Sequence, residues 1–304
     1  MTRRVVIIAN PKAGRRLGPA LKVADRLTRL GADVRVEPTA YRGHAREIAR
    51  ALALSGAADV VAAAGGDGTA AEAMGGLTGT RLPLAIIPAG TANVMALTLG
   101  LPAGAEALAR TVLDGTDRDF RPGLARDLPF LCLASAGFDA EAVRRVDLGL
   151  KRMVGKAAYA WAGLQTALAG PPARLTVDAD GERLEGSQLI ITRGPFYAGR
   201  HRLLPGADPF DDRLHLLLVT GGGRLDLARF VAAAALGRHT RLAGVVRRAC
   251  QEIRVGAAEE TGAAGRSSGR VAVEVDGDYL GHAQAGAPVI FGLARQTVRL
   301  RCPR

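Results

Sequence analysis

A cluster of glycines directly after a short apolar run constrains the fold of this chain more than any other feature. Residues 60–64 are all valine or alanine, which predicts a strand buried on both faces of a parallel sheet. Gly65, Gly66 and Gly68 follow at once, so the backbone can turn sharply and present N–H groups to an anion. A strand, a glycine turn and a helix start together form a seat for phosphate.

The residues after these glycines favour a helix start and a cation. Thr69 and Glu72 have the spacing of a capping box, which predicts that a helix begins there. Asp67 lies where phosphate is expected, and phosphate repels a carboxylate unless a cation lies between them or a hydroxyl awaits activation. We therefore predict that Asp67 contacts Mg²⁺, directly or through water. The alternative is an ordinary glycine turn with a solvated aspartate.

Short strands and helices alternate through residues 1–120. The pattern predicts strands at 4–9, 33–37, 59–64 and 82–88, with helices in between. This alternation indicates a doubly wound parallel sheet, whose ligand crevice lies at the carboxyl ends of the strands. The turn at Asn10, the glycine loop and a second small-residue loop at 89–93 all lie at such ends.

Strand patterns separated by turns dominate residues 121–292, which predicts a mostly antiparallel second domain. Helical interruptions are expected at 151–169 and 225–249, and residues 293–304 form a strand that could return to the first domain. The predicted fold class is an α/β N-terminal nucleotide domain with a doubly wound parallel sheet, followed by a mostly antiparallel β-rich C-terminal domain.

Charge and composition indicate which classes of partner the protein binds. The formal net charge of +12 favours an anionic lipid surface, nucleic acid or phosphorylated substrates. Aromatic residues make up only 4% of the chain, too few for a nucleic-acid stacking platform, so we expect no nucleic-acid partner. Three scattered cysteines fit a reducing cytoplasm, and no uncharged apolar run reaches the ~18 residues of a membrane span. Residues 157–164, preceded by basic residues, are either a peripheral membrane helix or a core helix.

Six short motifs in this order resemble the diacylglycerol-kinase-like catalytic family, which includes bacterial lipid kinases and sphingosine kinases. The motifs are Asn10-Pro11-Lys12-Ala13-Gly14, Thr39 with His44-Ala45, Gly65-Gly66-Asp67-Gly68-Thr69 with Glu72, Pro88-x-Gly90-Thr91-Ala92-Asn93, Ala136-Gly137-Phe138-Asp139-Ala140 and Asp276-Gly277-Asp278. The resemblance covers nearly the whole chain. The third motif alone also occurs in NAD kinases and phosphofructokinases.

The resemblance implies transfer of the γ-phosphoryl group of ATP to the hydroxyl of a diacylglycerol-like or sphingoid-like lipid, with Mg²⁺ as cofactor. By itself, Asp276-Gly277 predicts a hairpin turn, but the resemblance implies that Asp276 is the general base. It also assigns Asp67 to catalysis, and Asp67 and Asp278 to the metal. The nucleotide-binding positions that it implies are Asn10, Pro11, Lys12, Thr39, Gly65, Gly66, Asp67, Gly68, Thr69, Glu72, Gly90, Thr91 and Asn93.

The sequence departs from the family pattern in three motifs. Val94 replaces an aspartate after the second loop, Asp278 replaces a glutamate, and residues 211–215 lack the glycine and final aspartate of a motif that supports a structural metal in some members. Two alternatives therefore stay open: an NAD kinase, and a nucleotide-binding protein of this fold without catalysis. The sequence identifies neither the lipid nor the oligomeric state, a homodimer included.

Overall fold

The computed structural model describes residues 2–13, 17–145, 173–258 and 269–304. Its strands are β1 (Arg4–Ala9), β2 (Asp33–Pro38), β3 (Val60–Gly65), β4 (Leu84–Pro88), β5 (Thr116–Phe120), β6 (Gly123–Ala125), β7 (Leu128–Phe130), β8 (Leu133–Gly137), β9 (Leu175–Ala179), β10 (Glu182–Gly186), β11 (Gln188–Thr192), β12 (Phe196–Tyr197), β13 (His201–Arg202), β14 (Leu214–Val219), β15 (Val245–Cys250), β16 (Ile253–Ala257), β17 (Arg270–Val275), β18 (Asp278–Gln284), β19 (Val289–Leu293) and β20 (Val298–Cys302).

The α-helices of the described ranges are α1 (Gly18–Arg29), α2 (His44–Ser55), α3 (Asp67–Leu77), α4 (Val94–Thr98), α5 (Ala105–Asp114), α6 (Phe138–Arg145) and α7 (Arg224–Ala235), and His239–Arg241 form a 3-10 helix. Within these ranges, none of the helices combines the length and the apolar character needed to cross a bilayer. The predicted helix at 151–169 and its apolar stretch at 157–164 lie outside the described residues.

The chain divides into two compact units. The first contains Met1–Pro122, Phe196–Arg200 and Ala294–Arg304, and the second contains Gly123–Pro195 and His201–Leu293. The sheet of the first unit has the strand order β2-β1-β3-β4-β20-β5, in which the pairs from β2 through β20 are parallel and β5 runs antiparallel to β20. The predicted α/β fold is therefore confirmed, with an antiparallel edge strand added to the parallel sheet.

Helices cover this sheet on both sides because its central strands are apolar on both faces. Alternate residues such as Val5, Ile7 and Ala62 pack with α1 and α5 in one core. Val6 and Ile8, which point the other way along β1, are also buried, and α2 and α3 contact the strands β1 and β3. Because β1, β3 and β4 are parallel, their carboxyl ends lie at one edge of the sheet.

The second unit is built from two antiparallel six-stranded sheets that share one core, as the predicted β-rich domain requires. Their strand orders are β10-β9-β16-β19-β6-β7 and β15-β14-β11-β8-β17-β18. Side chains from both sheets, among them Phe130, Val177, Leu216, Val273 and Phe291, form a single buried cluster. The sheets therefore pack face to face as a sandwich.

The predicted helix over residues 225–249 is wrong in its second half. The helix α7 ends at Ala235, and Gly237 adopts a left-handed conformation with φ 66° that stops it. The β-branched residues Val245 and Val246 then begin β15, which pairs with β14. The pairing with β14 supplies backbone hydrogen bonds that the local sequence pattern does not reveal.

Candidate functional site

The first glycine loop joins β3 to α3 through Gly66, which has an extended conformation at the helix N-cap. A Cβ atom on Gly65 would overlap the side chain of Thr69, so only glycine fits there. Helix starts leave their first amide groups without intrahelical partners. Within the described chain, Gly66 and Gly68 donate their amides to no other group, which leaves N–H groups for an anion.

The predicted capping box is wrong, because α3 begins three residues earlier than the box requires. Gly66 is the N-cap and makes no side-chain cap, so Thr69 lies inside the first turn. The Thr69 hydroxyl instead accepts a hydrogen bond from the side-chain amide of Asn10 at 3.3 Å. Glu72 accepts one from the Ala45 amide at the start of α2, also at 3.3 Å. Both side chains therefore connect α3 to neighbouring elements.

The second loop, between β4 and α4, lies directly against the first. The amides of Ala89 and Gly90 donate to the carbonyl of Gly65 at 2.8 and 3.1 Å. A Cβ atom on Gly90 would come within 2.5 Å of the Cα atom of Gly66, so the two backbones approach this closely only because residue 90 is glycine. Asn93, with φ 49°, closes the loop by accepting from the Gly90 amide at 2.9 Å and donating to its carbonyl at 2.8 Å.

Asp67 connects the two loops. Its two carboxylate oxygens accept the amides of Val94 and Met95, each at 2.9 Å, so Asp67 caps the first turn of α4 from across the site. Asn93, at the N-cap of α4, makes no side-chain cap of its own. Val94 contributes its amide to this contact while its side chain is buried. The sequence pattern does not reveal this positioning role, and the predicted magnesium contact of Asp67 stays a prediction.

The turn after β1 completes the cluster at the strand ends. The Asn10 amide donates to the Ala64 carbonyl at 2.9 Å, and its side-chain oxygen accepts the Lys12 amide at 2.9 Å. Pro11 lies within this turn, while Gly14 lies outside the described residues. Thr39 is attached to the same strand end, because its amide donates to the Ala9 carbonyl at 2.8 Å. The side chains of Lys12 and, on the second loop, Thr91 are exposed to solvent.

The structure thus gathers most of the predicted nucleotide positions at the carboxyl edge of the first sheet. Asn10, the glycine loop and the second loop are joined by hydrogen bonds, and Glu72 braces α3 against α2. Asp276 and Asp278 belong to the second unit. No three His, Cys, Asp or Glu side chains in the described residues group together as a metal site.

Asp276 and Gly277 form the predicted hairpin turn between β17 and β18. Their φ angles of 47° and 83° are both left-handed, as the commonest two-residue hairpin turns require. The Asp276 carboxylate accepts three backbone amides, those of Leu131 at 2.6 Å, Cys132 at 2.8 Å and Leu133 at 3.0 Å. This network holds the side chain in one orientation. Asp278 is exposed at the first position of β18.

Glu274 is a residue that the sequence analysis missed. It is 1% exposed on β17, and one carboxyl oxygen accepts the Gly277 amide at 2.8 Å while the other has no hydrogen-bond partner in the described residues. Burial raises the pKa of Glu274 well above its usual value, and the nearby charge of Asp139 raises it further. A glutamate within the otherwise apolar run 271–275, two residues before Asp276, was the available signal.

The stretch 211–215, where the family motif for a structural metal is altered, surrounds an arginine. Arg193 is fully buried and donates to the carbonyls of Pro209 at 2.6 Å, Asp211 at 2.8 Å and Arg213. His215 lies 3.4 Å from the Asp211 carboxylate, and burial lowers the pKa of His215. The carbonyl oxygens of this loop therefore face a guanidinium group.

Comparisons with known proteins agree with this architecture. The family described as "Diacylglycerol kinase catalytic domain" matches residues 4–125, and "YegS C-terminal NAD kinase beta sandwich-like domain" matches residues 132–295. This chain belongs to the diacylglycerol-kinase-like lipid kinase family.

Individual relatives support the same assignment. The "Probable lipid kinase YegS-like" of Chromohalobacter salexigens is 34% identical over 220 residues, 70% of each protein. The diacylglycerol kinase of Bacillus subtilis is 26% identical over 286 residues, 92% of this chain and 91% of that protein. An uncharacterized Synechocystis protein is 36% identical over 133 residues, but this chain covers only 31% of its length. A crystal structure of a Bacillus anthracis diacylglycerol kinase shares the fold, with a TM-score of 0.70 and 18% identity over 98% of this chain and 96% of that one.

Proposed function

We propose that this protein transfers the γ-phosphoryl group of ATP to the hydroxyl group of a lipid. The observation that carries the proposal is the joined pair of glycine loops at the carboxyl edge of the first sheet. The backbones of Gly66 and Gly90 touch, and the amides of Gly66 and Gly68 donate to no other group of the described chain. Phosphoryl transfer depends mainly on positioning and on neutralising phosphate charge, and backbone amides fixed in this way supply both.

The residues fit a magnesium ion that arrives with the nucleotide. Mg²⁺ usually takes one or two carboxylates and completes its shell with water and phosphate oxygens, so a cluster of three acidic side chains is not required. Asp67 is the carboxylate beside the glycine loops, and its oxygens accept the amides of Val94 and Met95. When bound, Mg²⁺ would neutralise charge on the phosphates. Asp278 is the second proposed ligand.

Asp276 is the proposed general base of the second unit. The lipid hydroxyl oxygen forms a bond to the γ-phosphorus, the bond from that phosphorus to the bridging oxygen breaks, and ADP leaves with the electron pair. The hydroxyl proton passes to the Asp276 carboxylate. Three backbone amides already orient this carboxylate, and a fixed orientation is what a base needs to meet a substrate proton.

The names of the relatives favour diacylglycerol as the first acceptor to test, and the NAD kinase-like description of the second domain makes NAD the first alternative. The test is transfer of labelled γ-phosphate from ATP to diacylglycerol, monoacylglycerol, sphingosine and NAD, each supplied separately with Mg²⁺. We expect label in a lipid product. Label in NAD alone would identify an NAD kinase. Tight ATP binding without transfer to any acceptor would favour the non-catalytic alternative.

A lipid acceptor also places the protein at a membrane. We therefore propose a cytoplasmic protein that associates peripherally with an anionic bilayer, attracted by its formal net charge of +12.

A further inference from the structure

The helix α7 is apolar on two opposite faces, although only one of them is buried. Leu227 and Phe230 face the interior at 6% exposure each, whereas Leu225 and Leu236 are 72% and 71% exposed. Positions 225, 232 and 236 lie seven and four residues apart and so share one side of the helix. Arg229 and Ala232 lie between the two leucines on this side, and the exposed alanines 228 and 235 flank it. We call this side the outer face of α7.

The inner face of α7 is anchored, so rotation of the helix does not bury the outer leucines. Phe230 packs edge-on against the ring of His239, with ring centroids 6.0 Å apart. His239 is itself buried and is hydrogen-bonded through Nε2 to the Leu203 carbonyl at 2.7 Å. A helix held in this way exposes its apolar outer face in the folded unit, and such faces commonly mark an interaction surface.

The charges around the outer face indicate which kind of partner this face binds. Exposed arginines lie on and around this face: Arg224 begins α7, Arg229 is on the same side as Leu225, and Arg238 and Arg241 follow the helix. The one acidic residue between 224 and 241 is Asp226, whose carboxylate accepts the Gly223 amide at 3.2 Å and lies 3.9 Å from Arg229. An apolar strip bordered by arginines matches the boundary between acyl chains and anionic head groups.

We infer that the outer face of α7 is the surface through which this protein docks on an anionic membrane. This inference rests on the proposed use of a lipid acceptor. Leu225 and Leu236 enter the acyl boundary, and the bordering arginines contact lipid phosphates.

The test uses the full chain and sedimentation with large vesicles of phosphatidylglycerol and phosphatidylcholine, or of phosphatidylcholine alone. The double variant Leu225→Ser/Leu236→Ser removes the apolar contact. Leu54→Ser on α2 is the matched control, because Leu54 is also 72% exposed but lies in the first unit. We expect the double variant to bind anionic vesicles at least about tenfold more weakly, since burial of one leucine corresponds to a factor of that size or more. The control should bind like the wild type.

A second pair of variants tests the charge. Arg224→Gln/Arg238→Gln should weaken binding to anionic vesicles at low salt and have little effect at high salt, where wild-type binding is already screened. Unchanged vesicle binding by the leucine double variant would overturn the inference. So would a wild-type dimer that the same variant converts to a monomer while vesicle binding persists, because the outer face would then be a contact between two copies.

Measurements of vesicle binding and of phosphate transfer distinguish an error in the docking inference from an error in the kinase proposal. Phosphate transfer to a short-chain diacylglycerol dissolved in water needs no membrane, so the leucine variants should keep that rate. Vesicle binding without transfer to any lipid would refute the kinase and leave the docking surface standing. Transfer to the dissolved acceptor with unchanged vesicle binding in the leucine variants would refute only the surface.

Discussion

The two candidate site regions use aspartate in opposite ways. In the first unit, the side chain of Asp67 fixes the backbone, because its carboxylate caps the amides of Val94 and Met95 and holds the second loop beside the first. In the second unit, the backbone fixes a side chain, because three amides of residues 131–133 hold the carboxylate of Asp276.

The two regions present different chemical groups. A phosphate seat works through main-chain N–H groups, so side chains there serve to place the loops. A proton acceptor works through a carboxylate, so the main chain there serves to place the side chain. The same pair of chemical groups, carboxylate and amide, exchanges roles between the two regions.

The largest expected effect is on catalysis by Asp276. Asp276→Asn keeps the size of the side chain and tolerates the left-handed backbone, but it removes the base. We expect the single-turnover rate of phosphate transfer to fall by about 10² or more, with little change in ATP affinity. Asp278→Asn, at the rival candidate two residues away, is the comparison. A normal rate in Asp276→Asn together with a lost rate in Asp278→Asn would show that the base is misassigned.

The next effect concerns the contact between the glycine loops. Gly90→Ala places a Cβ atom 2.5 Å from the Cα atom of Gly66, whereas Gly68→Ala meets nothing within 4 Å. We expect Gly90→Ala to lower the free energy of unfolding by about 1–3 kcal/mol, the usual cost of overpacking. Gly68→Ala should change this free energy much less. Equal urea midpoints for the two variants would contradict the close approach of the loops.

Removal of the Asp67 carboxylate should weaken the structure mainly at the start of α4. Asp67→Ala leaves the amides of Val94 and Met95 without their acceptor, a loss comparable to a missing helix cap, about 0.5–2 kcal/mol. We expect hydrogen exchange at these two amides to speed up by roughly fivefold or more, with a smaller change in Asp67→Asn, which keeps one acceptor oxygen. Asp25→Ala, on the exposed surface of α1, is the control. Unchanged exchange in Asp67→Ala would refute the bridging role.

The smallest effect is a dependence of stability on pH. Because burial raises the folded-state pKa of Glu274, the folded protein holds this proton more tightly than the unfolded chain. Stability is therefore lost as the pH rises above the unfolded pKa, near 4.5. Glu274→Gln should remove this loss. The free energy of unfolding of the variant, measured in urea, should therefore exceed that of the wild type by an amount that grows between pH 5 and pH 8.

Glu141→Gln is a matched control for Glu274→Gln, because the contribution of Glu141 to stability depends on pH with the opposite sign. A hydrogen bond from Arg144 lowers the pKa of Glu141, so Glu141 contributes stability above its unfolded pKa and loses it as the pH falls. Glu141→Gln should therefore cost stability at pH 7, and the difference should shrink toward low pH. If Glu274→Gln follows the same trend as Glu141→Gln, the buried, protonated state of Glu274 is wrong.

Much of the architecture could be predicted from the sequence. The alternation of apolar runs and glycine turns was sufficient for the α/β sheet, because strand and helix periodicity are local properties. The hairpin at Asp276-Gly277 was predictable for the same reason, since left-handed turns favour these residue types. The helix prediction over 225–249 failed where pairing with β14 overrode the local pattern.

By itself the sequence determined which residues can turn sharply, which runs are buried, and where two glycine loops and an Asp-Gly turn occur along the chain. The contacts of the aspartates depend on how the chain folds: Asp67 accepts amides 27 and 28 positions away, and Asp276 accepts amides 143 to 145 positions away. Only the tertiary structure decided that Glu274 is buried beside Asp139 and that two leucines of α7 face solvent. The physical reason is that hydrogen bonds and burial between distant segments depend on strand order and packing, whereas sequence patterns report only conformations set by near neighbours.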